Sequence, residues 1–390
     1  MYRLPLRLAL AGTTVLGLAS SAFAFEGADL LAKINKSYES SGASVTADNI
    51  AVDGGDVTMT GVTYKPPGAD SKPVKIGDVN LSGVEEDDAG NYTIDEVKFP
   101  DIDSTQDKTT VKATGLTLSG VFVPATPGDK SLDSLAPFES ANAGAISVSE
   151  SGKEVVSLSS MEATATVRED ESGVDYSWDV SGLKMDLSAS PDPKTKEAVE
   201  KLGLQQVEGD VSLKSSWDQA KGTSTLENFT LDFKNVGKLN IAMSISGLTL
   251  DLIKQLEEAS KEASANKDAA GLQFMGLIQQ LTFDSAQIRF EDASITKRAL
   301  DYAGQQQGVT GEQLAQSLKA MAPLMMAQLN LPDLQNAVST AVTAFLDDPK
   351  SFTITAKPTA PVAFPMIMGA AMGAPNTLPQ MLGATVTAND

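Results

Sequence analysis

The sequence predicts a mainly β fold of the α+β class, in which a curved antiparallel meander sheet or a partial barrel is covered by C-terminal helices. The first observation is alternation of apolar and polar residues in short runs from Val45 to Leu252, typical of strands with one buried and one solvated face. The second is that almost no helical pattern separates these runs, whereas parallel strands need long crossover connections. The third is a change to helical patterns near residue 250.

A short alternating motif punctuated by glycine recurs along the chain. Its copies are GDVTMTGV (55–62), GDVNLSGV (77–84), TGLTLSGV (114–121) and SGLTLDLI (246–253). In the second copy Val79 and Leu81 share a face, and Val84 has the opposite parity after Gly83. Two interpretations stay open. Each glycine either forms a β-bulge that re-aims the buried face and curls the sheet, or it ends a strand.

Residues 1–24 are predicted to be a signal peptide. A basic segment with Arg3 and Arg7 precedes a short apolar segment and the small-x-small motif Ala22-Phe23-Ala24. The apolar segment is shorter than the roughly 20 residues that span a bilayer, and no cysteine follows it for lipid attachment. We therefore expect cleavage near Ala24, a periplasmic or secreted protein, and no transmembrane segment in the mature chain.

Residues 25–250 are expected to form the β-meander. A helical pattern at 26–40 precedes the strands, and VDGGDV at 52–57 predicts a tight hairpin. Acidic loops are expected at 85–91 and 168–174, Pro/Gly linkers at 65–73 and 123–130, and a loop with a short helix at 190–203.

Residues 251–390 are expected to form a helical cap with strands that either rejoin the sheet or stay apart from it. Thr310 and Gln313 form a capping box for one helix, and Pro323 predicts a kink or break in it. Helices are expected at 252–270, 271–281, 309–329, about 331–346 and 364–373, and strand patterns at 283–295, 351–358 and 383–389. The helices at 309–346 and 364–373 are predicted to cover the sheet.

The composition excludes several classes of chemistry. The chain has no cysteine and no histidine, which removes disulfides, thiolate nucleophiles, Ser-His-Asp machinery and the usual zinc ligands. The formal net charge of −21 disfavours nucleic acid as a partner. We therefore expect no catalysis, no cofactor and no metal, and a carboxylate-dependent hydrolase is the remaining enzymatic alternative.

Three patterns offer weaker candidates for chemistry. Asp101, Asp103 and Asp107 resemble the start of a calcium loop but lack its glycine and its bidentate glutamate. Ser294 with Lys297, and Ser264 with Lys267, match S-x-x-K without the companion motifs of that enzyme class. Acidic pairs also fall in predicted turns, where solvated charge is the ordinary interpretation: Glu85 with Asp88, and Glu169 with Glu171.

Methionines concentrate in the C-terminal part, where seven of the 13 lie between 321 and 381. Because methionine is flexible and polarizable, it suits surfaces that accommodate varied apolar shapes. One interpretation is a lining for acyl chains, and the other is an irregular core beneath the helices. The predicted ligand-binding residues are Leu318, Met321, Met325, Met326, Met366, Met368 and Met372.

Recurrent strands such as SGLTLDL and VNLSGV, together with FDSAQIRFEDASIT at 283–296, resemble the repetitive sheets of AsmA-like bacterial envelope proteins. The segment from RALDYAGQQQGVTGEQLAQSLKAM to FLDDPKSFTITAKPTAPVAF also resembles uncharacterised exported alphaproteobacterial proteins. The resemblance implies a curved sheet with an apolar concave face and a role in envelope lipid handling. AsmA-like proteins usually keep an N-terminal membrane anchor, whereas this sequence predicts release.

These observations together favour an exported envelope protein that binds a lipid or another apolar ligand without catalysis. The alternative is an envelope scaffold or interaction module with a closed core, whose partner is another envelope protein.

Overall fold

The computed structural model describes residues 25–39, 42–68, 71–127, 131–189, 192–263, 267–328 and 330–390. The predicted signal peptide and Ser264 lie outside these ranges. Strands account for 43% of the structure and helices for 31%, and the sheet is not closed into a barrel. The predicted mainly β fold with C-terminal helices is therefore confirmed.

Strands and helices are numbered separately in chain order. The strands are β1 (Ser44–Thr46), β2 (Asn49–Asp53), β3 (Asp56–Lys65), β4 (Val74–Ser82), β5 (Glu85–Glu86), β6 (Tyr92–Lys98), β7 (Ile102–Gln106), β8 (Thr109–Ala113), β9 (Thr117–Val123), β10 (Ser140–Ala143), β11 (Ile146–Glu150), β12 (Lys153–Leu158), β13 (Ser160–Val167), β14 (Gly173–Asp186), β15 (Gln206–Asp218), β16 (Thr223–Phe233), β17 (Gly237–Ser246), β18 (Thr282–Asp292), β19 (Ser351–Ala356), β20 (Val362–Ala363) and β21 (Ala384–Ala388). The helices are α1 (Gly27–Tyr38), α2 (Leu132–Leu135), α3 (Pro193–Lys201), α4 (Leu250–Ala263), α5 (Lys267–Ile278), α6 (Ile295–Gln306), α7 (Gly311–Gln328), α8 (Pro332–Asp347), α9 (Phe364–Gly373) and α10 (Leu378–Met381).

The described strands form one antiparallel sheet in which neighbours in space are close neighbours in the chain. Strand β3 pairs with β4, and β13 to β18 pair in succession. Each turn between them is short enough for an antiparallel hairpin, apart from the connection through α3 and the one through α4 and α5. The predicted meander is thus confirmed.

In part of the meander, neighbouring strands are interrupted side by side by short segments that are not in strand conformation. These segments lie between β6 and β7, between β8 and β9, between β10 and β11, and between β12 and β13. Neighbouring breaks are hydrogen-bonded to each other: the Gly115 N–H donates to Asp101 Oδ1 at 3.1 Å, and the Gly144 N–H donates to the Thr114 carbonyl at 2.8 Å. Strands β7, β8, β11 and β12 therefore form a side branch, which rejoins the main sheet where β12 pairs with β14.

The late strands rejoin the earlier sheet. Strand β18 pairs with β17 across the connection formed by α4 and α5, and β19 pairs with β18 after three helices. Strand β21 then pairs with β19. The sheet is therefore continuous across residue 250, where the composition changes.

Two features of the C-terminal part differ from the expectations. Helix α6 was not predicted from the sequence, and its start is fixed by Asp292, whose carboxylate accepts the Thr296 N–H at 2.8 Å. Helix α7 continues through Pro323, so the break that was one of the two expected effects of this proline does not occur. The capping box at its start is confirmed, because the Thr310 and Gln313 side chains each accept the other's backbone N–H, at 3.2 and 2.9 Å.

Candidate functional site

One face of the sheet carries an unbroken row of apolar side chains. In an antiparallel pair, residues directly opposite each other point to the same face. Following these pairs from β2 to β21 gives a single row with no polar member. The row is Val52, Val57, Leu81, Val97, Leu118, Ala141, Ala163, Trp178, Leu213, Phe229, Ile241, Ile288, Ile354 and Val386.

The adjacent row on the other face is polar. Its members are Thr58, Asn80, Lys98, Thr117, Asn142, Glu162, Asp179, Ser212, Thr230, Asn240, Arg289, Thr353 and Thr387. The two rows alternate one residue apart along every strand that they share, as the pleat requires. The sheet is therefore two-sided, with an apolar face that runs nearly its whole width.

A β-bulge at Gly182 keeps apolar residues on this face. Val180 and Leu183 lie three positions apart, so regular alternation would place them on opposite faces, but the register shifts between them. Gly182 supplies the shift with a φ of 64°, a left-handed conformation that glycine adopts readily. Its N–H donates to Asp210 Oδ1 on the next strand at 2.8 Å. A hydrogen bond to a side chain of the neighbouring strand thus stabilises the bulge.

The same arrangement recurs near the N-terminus of the sheet. Gly61 has a φ of 63° and lies between Met59 and Val62, where the pairing of β3 with β4 shifts register. The Gly61 N–H donates to Asp78 Oδ1 at 3.0 Å. The bulge interpretation is confirmed at Gly61, which belongs to the first copy of the motif, because Met59 and Val62 share a face across the register shift. Gly182 forms a bulge of the same kind outside the four copies. Gly83, in contrast, follows the last residue of β4.

The N-terminal part of the apolar face is closed by helix α1. Phe25 and Leu30 pack against the buried part of the row, which includes Val57, Leu81 and Val97. The ring of Phe25 meets the ring of Tyr92 edge-on, with centroids 5.5 Å apart. This part of the face is a filled core.

A polar cluster fastens helix α1 to the sheet. The buried Tyr92 hydroxyl donates to Asp29 Oδ2 at 2.9 Å, and Lys33 Nζ lies 2.6 Å from Asp29 and 3.1 Å from Glu86. Burial and the neighbouring Asp29 carboxylate raise the pKa of Tyr92, while the Lys33 ammonium lowers the pKa of Asp29. Since each group is engaged by another, the cluster acts as a structural clamp.

Farther along, helices cover the apolar face only at the two ends of its strands. At one end Tyr176 donates its hydroxyl to the Leu135 carbonyl of α2 at 3.0 Å. At the same end Ile245 packs on the buried cluster that α4 and α5 build around Leu252, and Phe364 of α9 packs on that cluster too. The indole N–H of a buried tryptophan, Trp217, donates to the carbonyl of residue 248 at 2.8 Å.

At the opposite end of the strands, helix α8 covers the face. Phe345 of α8 makes edge-on contacts with Phe290 of β18 and Phe352 of β19, with ring centroids 6.3 and 5.6 Å away. Phe290 and Phe352 each lie two residues from a member of the apolar row, so they point to the same face. Helices therefore flank the row at both strand ends.

Between these two flanks the row is open. Ile288 and Ile354 are directly paired and 46% and 45% exposed, and Met243 beside them is 43% exposed. Trp178 and Phe229 are half-buried. We call this strip, from Ala141 to Val386 of the row, the open groove. Contiguous exposed apolar surface of this kind makes the strip the candidate binding site of the described structure.

The predicted ligand-binding methionines lie on helices and not on the floor of the open groove. On α7, Leu318, Met321 and Met325 are exposed and Met326 is half-buried, whereas Leu314 and Ala315 face inward. On α9, Met366 and Met372 are exposed and Met368 is half-buried. The strand residues of the floor, with Ile288 and Ile354 at its most exposed point, were not among the predicted site residues. The alternation in FDSAQIRFED and SFTITA was the signal that could have found them.

The weaker candidates for chemistry are engaged in structural contacts. In the calcium-like motif, Asp103 pairs with Lys112 at 2.9 Å across the β7–β8 hairpin, whereas Asp101 accepts the Gly115 N–H. In the described S-x-x-K motif, Ser294 donates its hydroxyl to the Asn235 carbonyl at 2.8 Å, and Lys297 pairs with Asp301 at 2.6 Å.

The acidic pairs Glu85 with Asp88 and Glu169 with Glu171 are exposed in and beside turns. In the part of the chain that the structure describes, no group of three or more Asp and Glu side chains is placed to hold a metal ion. Among the described helices, none is long and apolar enough to cross a bilayer.

A family model described as "Uncharacterized protein" matches residues 230–389, which run from β16 to β21 and include α4 to α10. No curated protein matches the chain. The matched part holds the most exposed section of the open groove together with the helices around it.

Proposed function

We propose that the protein binds a lipid or another elongated apolar ligand in the open groove, without catalysis. The single observation that supports this most strongly is the pair Ile288 and Ile354, which lies near the β21 edge of the unbroken apolar row and is nearly half exposed. A large aliphatic side chain leaves about 1.5–3 kcal/mol of transfer free energy unused when it stays in water. A ligand that covers the strip recovers part of that free energy at each position.

The dimensions of the groove fit an acyl chain. From β10 to β21 the row crosses nine strands, and adjacent strands are about 4.8 Å apart, so the strip is roughly 40 Å long. The hydrocarbon core of a bilayer is about 30 Å thick, so one acyl chain spans about half of that. The groove therefore has room for a complete acyl chain and more.

The rest of the proposal follows from the sequence. The predicted signal peptide and the resemblance to AsmA-like proteins favour the bacterial envelope as the location. The absence of cysteine and histidine favours binding without chemistry. Since each methylene contributes about 0.8 kcal/mol when it leaves water, an acyl chain supplies affinity without any polar contact.

The test uses two matched double variants. Ile288→Ser with Ile354→Ser changes the floor of the groove, and Gln287→Ser with Thr355→Ser changes the adjacent cross-strand pair on the polar face. Binding of the fluorescent apolar probe 1-N-phenylnaphthylamine is measured by titration, and retained lipid by native mass spectrometry after incubation with a membrane lipid extract. We expect the groove variant to bind the probe about tenfold more weakly and the polar-face variant to bind it as the parent does.

Two results would contradict the proposal. One is equal probe binding by both double variants, which would place the probe elsewhere. The other is a parent protein that carries no lipid before or after incubation, which favours a scaffold role. Circular dichroism of each variant provides the control for folding.

A further inference from the structure

Helix α9 is an apolar helix without a buried residue. Its sequence FPMIMGAAMG contains only apolar and small residues, and none of the ten is buried. Met372 is 88% exposed and Met366 is 59% exposed. A helix that is apolar on every side is ordinarily buried in a core or in a membrane. The exposed surface of α9 therefore requires a cover.

The chain around α9 has no charge. Residues 364–383 contain no Asp, Glu, Lys or Arg, in a protein whose charged residues make up 21% of the sequence and whose formal net charge is −21. Elsewhere the acidic surface repels anionic groups. Contact through this uncharged segment lets the protein approach an apolar or zwitterionic surface without removing charged side chains from water.

Helix α9 stands at one side of the open groove, at the ends of its strands. It directly follows β20, which pairs with β18 at Thr282 and Phe283. Phe364 begins the helix, donates its backbone N–H to the Leu281 carbonyl at 3.0 Å, and packs on the same cluster as Ile245. Ile245 belongs to the apolar face of β17 and lies near the end of that strand. The helix is thus anchored where the groove's floor reaches the strand ends.

From these three features we infer that α9 docks the protein on the uncharged, zwitterionic surface of a lipid bilayer, with Met366 and Met372 inserted among the acyl chains. Ten helical residues are about 15 Å long, half the thickness of the hydrocarbon core, so the helix lies in the interface and does not span it. A second copy of the chain is a poorer cover, because a stable dimer buries about 800 Å² on each partner from 20–30 residues, far more than α9 offers.

The inference rests on the proposed function, since a bilayer is the source of a lipid for the groove. Docking along the side of the groove lets an acyl chain move from the bilayer to the apolar face without crossing water. Because docking is apolar, it is insensitive to ionic strength on zwitterionic vesicles. On anionic vesicles the acidic protein binds more weakly, and added salt relieves that weakening.

The experiment is flotation of the whole protein with phosphatidylcholine vesicles. The docking variant is Met366→Asp with Met372→Asp. The matched control is Asn336→Asp with Thr340→Asp, which adds the same negative charge at two exposed positions of α8. We expect the parent and the control to float with the vesicles, and the partition coefficient of the docking variant to fall about tenfold or more. Without vesicles, the docking variant binds 1-N-phenylnaphthylamine as the parent does.

The inference is overturned if the parent does not float, or if the docking variant floats equally well. It is also overturned if the docking variant instead converts a dimer to a monomer in light scattering, since the cover is then a second copy. The groove variant Ile288→Ser with Ile354→Ser separates the two proposals. If it keeps full probe binding while vesicle docking still depends on α9, the proposed groove function fails and the docking inference stands.

Discussion

Replacing Gly182 by alanine tests whether the bulges hold the apolar face in register. The φ of 64° costs a residue with a Cβ about 1–2 kcal/mol relative to glycine. A methyl group at this position also collides with the Ser159 hydroxyl, which must move. Together these effects predict a loss of about 1–3 kcal/mol in the free energy of unfolding for Gly182→Ala.

The matched control is Gly369→Ala on helix α9, where a Cβ meets no atom within 4 Å and the backbone is helical. We expect this change to be neutral or to stabilise the protein by about 0.5–1 kcal/mol, because alanine favours the helix. Equilibrium urea unfolding followed by circular dichroism measures both. A Gly182→Ala protein within about 0.5 kcal/mol of the parent would refute the requirement for a left-handed residue in the bulge.

Two further predictions concern the C-terminal part. Thr310→Ala removes the hydroxyl that accepts the Gln313 N–H, so urea unfolding should show a loss of about 1 kcal/mol, whereas an equal loss for Thr310→Ser would argue against the capping role. Hydrogen bonding from Thr387 and Arg289 lowers the pKa of Asp390 to about 2, from an ordinary value of 3.8. The Asp390 carboxylate therefore stabilises the fold above about pH 4, and that contribution is lost as the pH falls towards 2. The difference in urea midpoint between the parent and Asp390→Asn should shrink over this range, and a pH-independent difference would contradict the assignment.

Much of the fold could be predicted from alternation and turn chemistry, because both are local properties. The Val52–Val57 hairpin forms as expected around Gly54 and Gly55, and helix α3 follows the loop predicted at 190–203. Helix α9 has the bounds that its apolar run predicts. These elements depend on residues close together in the chain.

Helix α6 could not be found in the same way, because its support comes from distant residues. Arg298 donates to the carbonyl of Leu202 at 2.5 Å and also to the carbonyl of Asn235. Gly304 closely approaches Thr310 and is buried there. The segment has only two large aliphatic residues, Ile295 and Leu300, so contacts made in the folded protein supply much of the stability of this helix.

The sequence predicts an apolar site on helices, whereas the candidate site described above has its floor on strands. Methionine content pointed to α7 and α9, whereas the groove floor is formed by strand residues such as Ile288 and Ile354. Their exposure depends on helices covering only the ends of the strands, which no local pattern encodes. The carboxylate that holds the Gly182 bulge, Asp210, also comes from a neighbouring strand.

The most direct measurement of the central claim uses tryptophan fluorescence. The chain has two tryptophans: Trp178 lies in the apolar row and is half-buried, while Trp217 is buried and hydrogen-bonded to the Leu248 carbonyl. Titration with a brominated monoacylglycerol should quench the parent's emission saturably, and Trp178→Phe should remove that quenching while the Trp217 emission remains. Quenching that does not saturate, or that is unchanged in Trp178→Phe, would contradict an acyl-binding groove on this face.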